Sequence, residues 1–346
     1  MGVKVLSLFD GMSCGMLAMQ TAGLTVDSYT AYEIDKYAVQ TATHNFPMIK
    51  ECGDVFKADF TQYMGIDYLV GGSPCTYWSI AQKNNRETEA SGLGWELFSQ
   101  YVRAIKEAQP KFFIYENNKS MSSEIRESIT KTFGFEPICI NSALVSAQSR
   151  QRLYWVGKRN DDGTYSKVDV KQPEDRGILL KDILIGVADR DKSRAIIGSI
   201  GRTTTREHFV KKQGQLGFEP VNINGDKAVS QTATSDSIDS NTGFYATPVE
   251  FENDKPIKAT SCADGKTYTV YAVKDGLITI KGKQYSVKLS DGYYIIRKLT
   301  VLECKRLQTV PDDYEFPVSN TQAYKMLGNG WTVDVIAHLI KATLTA

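Results

Sequence analysis

From Val3 to about Gly157, short apolar and β-branched runs alternate with stretches of helical spacing. Val3 to Phe9 precedes Met16 to Ala22, Tyr29 to Glu33 precedes Lys36 to Asn45, Tyr68 to Gly71 precedes Leu97 to Ala108, and Phe112 to Glu116 precedes Glu124 to Phe133. Strands alternating with helices predict a parallel sheet covered by helices. After Lys158 the texture changes to Gly, Asp, Ser and Thr, and Leu277 to Ile280 and Tyr285 to Val287 flank Lys281-Gly282-Lys283 like the arms of a hairpin. The run Ser230 to Asn241 reads as a loop. From Thr332 onward, Val333, Ile336, Leu339, Ile340 and Leu344 fall at helical spacing, so this segment should bury one face against the first domain. The pattern predicts an α/β protein with a sheet domain of residues 1–159 plus 325–346. A smaller, irregular β-rich domain should span 160–296, with 297–324 connecting the two.

Composition adds limits to this picture. The chain has 346 residues, 42% of them hydrophobic, enough for two domains with real cores. Lys and Arg number 41 against 40 Asp and Glu, so no global basic field exists and contact with a polyanion must come from a local patch. The six cysteines, Cys14, Cys52, Cys75, Cys139, Cys262 and Cys304, contain no CxxC pair, which argues for reduced thiols and against a disulfide framework or a zinc site; no metal is expected. Leu6 stands where a myristoylation signal needs Ser or Thr, and no run of about 18 apolar residues occurs, so a cytoplasmic protein without a membrane anchor is expected.

The strand ends carry the candidate chemistry. Leu6 to Gly15 is a strand running into a glycine-punctuated turn before a helix, where a ligand can approach the backbone. The next strand ends in Glu33, placed to accept hydrogen bonds from ribose hydroxyls. Gly53-Asp54-Val55 supplies a further acid, suited to an exocyclic amine or, equally, to an ordinary turn. Gly71-Gly72-Ser73-Pro74-Cys75 follows an apolar strand and puts a cysteine on a proline-fixed loop at the carboxyl edge of the sheet. Position therefore makes Cys75 the nucleophile candidate, the alternative being an inert buried thiol. Glu116, followed by Asn117 and Asn118, ends the next strand at the same edge and could face Cys75 as an acid. In Gln148-Ser149-Arg150-Gln151-Arg152, alternation puts Gln148, Arg150 and Arg152 on one face of an extended segment. That arrangement suits an anionic ligand or a solvated charged face.

Taken in order, these motifs resemble those of the DNA (cytosine-5)-methyltransferase family. Phe9-Asp10-Gly11 resembles its first cofactor motif, Glu33 and Asp54 its second and third, Gly72-Ser73-Pro74-Cys75 its catalytic motif, Glu116-Asn117 its ENV motif, and Gln148, Arg150 and Arg152 its QxRxR motif. Arg297-Lys298-Leu299-Thr300, Glu303 and Arg306-Leu307-Gln308 resemble the ninth motif, and Gly328-Asn329-Gly330 with the last helix resembles the tenth. The match spans both ends of the chain and leaves the middle without a counterpart. Ser13 and Cys14 replace the usual second glycines, Asn118 replaces Val, and Gly330 replaces Ser.

The resemblance implies a Rossmann-like methyltransferase sheet domain beside a target-recognition domain. It also implies S-adenosyl-L-methionine as cofactor, held by Phe9, Gly11, Glu33, Ile34, Asp54, Val55, Gly72, Pro74 and Asn329. Cys75 would add to carbon 6 of a cytosine flipped out of double-stranded DNA, and Glu116 would neutralise the charge that builds on the ring. Arg152 would hold the exocyclic oxygen, and Arg150 the Glu116 loop or a phosphate.

The polar segment Thr76 to Leu93, with Ser79, Lys83, Asn84, Asn85 and Arg86, is expected to close over the flipped base. Gln148 is expected to contact nucleic acid. Positions 190–212 carry seven basic residues against two acidic, the local patch that a neutral total requires, and Arg202 and Arg206 are the candidates for groove contacts.

A monomer is expected, from a bacterial or phage source, and a cognate restriction endonuclease is a partner the sequence leaves open. Three rivals share part of this pattern. A nicotinamide-dependent oxidoreductase has no use for Pro74-Cys75 with Glu116, an RNA-methylating relative would carry a shorter middle domain, and a silent DNA-binding paralogue would not need Cys75.

Overall fold

A computed structural model describes residues 2–74, 77–78, 86–186, 192–194, 216–221, 247–249, 258–280 and 282–346. The strands of the first half are β1 (Val3–Leu8), β2 (Val26–Tyr32), β3 (Lys50–Glu51), β4 (Tyr68–Gly71), β5 (Phe112–Asn118), β6 (Ile138–Asn141), β7 (Gln148–Ser149), β8 (Gln151–Arg159) and β9 (Tyr165–Lys167). Between them lie the helices α1 (Cys14–Thr21), α2 (Lys36–Asn45), α3 (Gly92–Ala108) and α4 (Ser123–Phe133). The main sheet runs β3-β2-β1-β4-β5-β8-β6, with β9 added to β8. β3, β2, β1, β4 and β5 are parallel, and β8 is antiparallel to both β5 and β6. The order reverses between β2 and β4, on either side of β1, and the crevice outside the carboxyl ends of β1 and β4 is where such sheets bind ligands.

Side chains on these strands alternate between two cores. Val5, Tyr68, Val70, Phe112, Ile114, Tyr154 and Val156 join α1 and the C-terminal helix on one face. Leu6, Leu8, Leu69, Phe113, Tyr115, Leu153 and Trp155 join α3 and α4 on the other. A strand buried on both faces reads as a continuous apolar run, which is why the parallel sheet is legible in the sequence. Local chemistry sets several helix ends. Asp35 caps α2 by accepting from the Tyr37 amide, and Ser122 caps α4 by accepting from Ile125, while Gly134 closes α4 at φ 82°.

The second half adds β10 (Ser193–Arg194), β11 (Leu216–Val221), β12 (Thr247–Val249), β13 (Lys258–Thr260), β14 (Thr267–Lys274), β15 (Leu277–Ile280), β16 (Lys283–Ser286) and β17 (Gly292–Lys298). The helices that follow are α5 (Val301–Leu307), α6 (Asn320–Asn329) and α7 (Val333–Thr343). The second sheet is antiparallel, in the order β11-β17-β14-β13-β12, and β15 and β16 form the expected hairpin beside β14. β10 pairs with β7.

The first core also draws on residues beyond 159. Val168, Val170, Leu180, Ile183 and Leu184, from the stretch expected in the second unit, pack into it. Leu299, Cys304, Leu307, Val310 and Tyr314, from the connecting segment 297–324, are buried in that same core. Val333, Ile336, Leu339 and Ile340 are buried as their spacing requires, but α7 stops at Thr343 and leaves Leu344 53% exposed.

The two halves are joined by a buried charge cluster. Arg297 on β17, with no side-chain exposure, bonds Glu219 of β11 at 2.5 Å and Glu303 of α5 at 2.7 Å, both equally buried. Thr300 and Glu303 form a capping box that starts α5.

Candidate active site

The turn after β1 is held in an uncommon backbone conformation. Phe9 and Ser13 both have φ 58°, and Gly11 has φ 60°. The cost is met by side chains around Asp10, which accepts hydroxyl bonds from Ser7 at 2.5 Å, from Tyr29 at 2.6 Å and from Ser13. Burial raises the Asp10 proton affinity, the three hydroxyl bonds oppose that shift, and the charge of Glu33 adds to it. Glu33 accepts from the Gly11 amide with one oxygen, and from the Ile34 and Asp35 amides with the other, each at 2.8 Å. The β1 turn and the β2 end are therefore one hydrogen-bonded unit.

At the end of β4, the Ser73 hydroxyl bonds the Tyr115 hydroxyl at 2.6 Å, and the Asn117 amide donates to the Ser73 carbonyl at 3.2 Å. These bonds pin the loop that leads into Cys75, which itself lies outside the described residues. Across the loop, Glu116 on β5 is a two-sided acceptor. Arg152 Nε approaches Oε1 at 3.0 Å, and the Trp331 indole donates to Oε2 at 3.1 Å.

These pieces enclose a cavity of about 200 Å³. Phe9, Gly11, Glu33, Gly72, Pro74, Glu116 and Asn329, all expected at the site, line it, although they come from five distant stretches of the chain. Cys14, Asp35, Lys325, Met326, Gly330 and Trp331 line it too. Burial pushes the Cys14 thiol up to about 12, so near neutral pH it stays a protonated wall of the cavity and is no rival nucleophile. Lys325 pairs with Asp35 at 2.6 Å and ties α6 to the start of α2.

Other expected residues fall elsewhere. Asp54 does not line the cavity; it caps a short 3-10 turn by accepting from the Phe56 amide. The Val55 side chain is buried in the core beneath α3 and α4, and Ile34 is 79% exposed beside Glu33. The alternation of Gln148, Arg150 and Arg152 toward one side is observed, with Ser149 and Gln151 exposed between them. Their partners differ from expectation, however. Gln148 is fully buried and donates to the Leu307 carbonyl and the Gln308 side chain, so it has no surface left for a nucleic acid. Arg150, 4% exposed, donates to the carbonyls of Gly328 and Gly330, which makes it a clamp on that turn rather than a phosphate ligand. Arg86 donates to the Trp78 and Ser120 carbonyls and so anchors the base of the segment after Cys75. Ser79, Lys83, Asn84, Asn85, Arg202 and Arg206 lie outside the described residues.

Trp331, Lys325 and Asp35 are the site residues that spacing alone leaves unmarked. Their only sequence signal is adjacency, Asp35 to Glu33 and the other two to the Gly328-Asn329-Gly330 turn. Among the described residues, no group of His, Cys, Asp and Glu is placed to hold a metal, and no helix is long and apolar enough to cross a membrane.

An α/β sheet with a crevice at its switch point, lined by an acid that an arginine holds, is the architecture of the α/β folds that bind small ligands at that edge, and comparison with known proteins narrows the class. Residues 3–345 match the family model of the C-5 cytosine-specific DNA methylases, and the chain belongs to that family of methyltransferases. It is 26% identical to the orphan methyltransferase M.SPRI of Bacillus phage SPR, over 98% of this chain and 97% of that one. Against the type II methyltransferase M.FnuDI of Fusobacterium nucleatum the identity is 27%, covering 99% and 95%. In fold it resembles the Entamoeba histolytica methyltransferase EhMeth, with a TM-score of 0.62 at 12% identity, covering 100% of this chain and 98% of that one. It also resembles the S. pombe Dnmt2 methyltransferase, with a TM-score of 0.56 at 15% identity, covering 99% and 98%.

Proposed function

We propose that this enzyme methylates carbon 5 of a cytosine flipped out of double-stranded DNA, using S-adenosyl-L-methionine and a transient covalent bond to Cys75. The observation that carries the reading is the convergence on one cavity of Glu116, itself held by Arg152, and the Gly72–Pro74 loop pinned at Ser73. The cavity's own chemistry suits the cofactor. Asp10, Glu33, Asp35 and Glu116 line it; Lys325 is paired with Asp35 and Arg152 with Glu116, which leaves Glu33, with Asp10 behind it, as a net acidic surround that favours a ligand carrying a sulfonium and an ammonium group. The same surround repels a pyrophosphate, and the Gly11 amide that a phosphate would need is already given to Glu33, both of which disfavour a nicotinamide dinucleotide.

Carbon 5 of cytosine is a poor nucleophile. Addition of the Cys75 thiolate to carbon 6 pushes the ring's electrons toward nitrogen 3, where Glu116 supplies a proton and leaves carbon 5 as the end of an enamine. The bound cofactor supplies the methyl group that carbon 5 attacks. A solvent base then takes the carbon 5 proton, which expels the Cys75 thiolate, and nitrogen 3 returns its proton to Glu116, restoring the aromatic ring and the acid. Throughout, Arg152 holds Glu116, and on this reading its guanidinium also serves the exocyclic oxygen. Arg150 acts one step behind, by fixing the turn that carries Asn329. The flip costs a few kcal/mol, which contacts from the segment after Cys75 and from the basic stretch 190–212 would offset.

The test is transfer of labelled methyl to unmethylated genomic DNA, followed by bisulfite sequencing. Label at carbon 5 within one short motif, lost in Cys75→Ser while DNA binding persists, is the expected result. Label in transfer RNA and none in DNA would overturn the substrate assignment.

A further inference from the structure

Glu116 is gripped from two directions by groups that can only donate. Arg152 reaches Oε1 from β8, the antiparallel neighbour of β5, and Trp331 reaches Oε2 from the α6–α7 turn, 215 residues away in sequence. That turn is unusually well fastened. Arg150 holds the Gly328 and Gly330 carbonyls, and the Gln308 amide holds the Leu327 carbonyl at 2.6 Å and the Gly330 carbonyl at 3.1 Å. The Thr332 hydroxyl donates back to Gln308 at 2.8 Å. The missing side chain at Gly330 lets the turn sit on α1, since a Cβ there would stand 3.0 Å from the Met326 carbonyl and 3.2 Å from Cys14 Sγ. The departures from the family pattern at Cys14 and Gly330 thus meet in space and set the path of Trp331.

We propose that Trp331 is a positioning residue of the methyl-transfer reaction, its indole N–H fixing the plane of the Glu116 carboxyl and the direction in which Glu116 gives up a proton. The inference rests on the reading of Glu116 as the acid that serves the flipped base. A carboxyl bound at both oxygens cannot turn about its last bond without breaking both contacts. An indole N–H and a guanidinium have no lone pair to offer. A proton carried by Glu116 therefore finds no acceptor in Trp331 or Arg152. It points instead into the cavity that Glu116 and Trp331 line together with Gly72 and Pro74, where ring nitrogen 3 would lie.

The test uses the full-length enzyme with Trp331→Phe, which keeps an aromatic ring and removes the donor. It is backed by site-specific replacement of Trp331 by 3-benzothienylalanine, which keeps the indole shape without the N–H and covers failure of the phenylalanine variant to fold. Loss of a hydrogen bond to a charged group predicts that kcat falls roughly ten- to hundred-fold. In the benzothienyl enzyme, which keeps the Trp331 wall of the cavity, KM for DNA and Kd for S-adenosylmethionine should stay within about two-fold, since only the donor to Glu116 is lost. An unchanged kcat in the benzothienyl enzyme overturns the proposal, and so does a parallel rise in cofactor Kd, which would mark Trp331 as a wall and nothing more. Glu116→Gln separates the two levels. Full activity there overturns the reading of Glu116 and this inference with it, whereas an inactive Glu116→Gln beside an unaffected Trp331 variant overturns this inference alone.

Discussion

Replacing Arg297 with Met should be among the most damaging substitutions outside the cavity. The wild-type guanidinium donates to Glu219 at 2.5 Å, to both oxygens of Glu303 at 2.7 and 2.8 Å, to the Lys298 carbonyl at 3.1 Å and to the Ile185 carbonyl. Burial works against its charge, but the bonds and charges of Glu303 and then Glu219 outweigh that and raise its proton affinity. Met fills a similar volume yet leaves two fully buried carboxylates facing each other without their cation. Removing one partner of a buried ion pair costs roughly 3–5 kcal/mol, a large fraction of the about 5–15 kcal/mol that holds a folded protein together. The remaining carboxylates keep some bonds, Glu219 from Ser261 and the Cys262 amide and Glu303 from the Thr300 and Ile185 amides, so the lower part of that range is expected.

Urea unfolding, followed by far-ultraviolet circular dichroism and by tryptophan fluorescence, checks this. Trp78, Trp95, Trp155 and Trp331 all pack in or against the two cores of the main sheet, so fluorescence reports that sheet alone and its lag behind dichroism would locate the damage at the junction. A loss under about 1 kcal/mol would refute the reasoning.

Other outcomes follow from single contacts. Gly330→Ala should cost about 1–3 kcal/mol through crowding against Cys14 and the Met326 carbonyl, and Cys14→Ala should recover part of that cost in the double variant, read by denaturant midpoints. Arg150→Lys cannot span both the Gly328 and Gly330 carbonyls, so Kd for S-adenosylmethionine should rise about ten-fold, measured by calorimetry. Glu51 has both carboxylate oxygens buried without a partner, and burial, reinforced by the charges of Asp10 and Glu33, pushes it up to about 8. Its folded value exceeds the unfolded one, so its contribution is complete below about pH 4.3 and is lost as pH rises through about 8. Glu51→Gln should flatten that decline in stability curves between pH 5 and 9.

Much of the sheet was legible because strands buried on both faces are written as apolar runs, and their turns as Gly, Asp and Ser. Tyr68 to Gly71 and Phe112 to Glu116 needed nothing beyond local composition. The cavity residues at the strand ends, Phe9, Gly11, Glu33, Gly72 and Glu116, were legible because a parallel sheet brings every carboxyl end to one edge. The roles of Gln148 and Arg150 were not, because alternation tells which side a residue faces and says nothing of what waits there. In the fold that neighbour is the Leu307–Gln308 end of α5 and the Gly328–Gly330 turn, more than 150 residues away. Asp54 and Val55 carried the right motif letters, yet one caps a turn and the other fills a core.

The sequence by itself determined the alternation of strand and helix, the family, and the set of acids and donors available at the sheet edge, because those depend on near neighbours and on residue type. Only the tertiary structure decided that the first core takes in residues 168–184 and 299–314, that Arg297 ties the second sheet to α5 through Glu219 and Glu303, and that Trp331 and Arg152 meet on Glu116. Each of these depends on bringing together segments that are far apart along the chain. No periodicity records such a pairing, since it is set by how the whole chain packs.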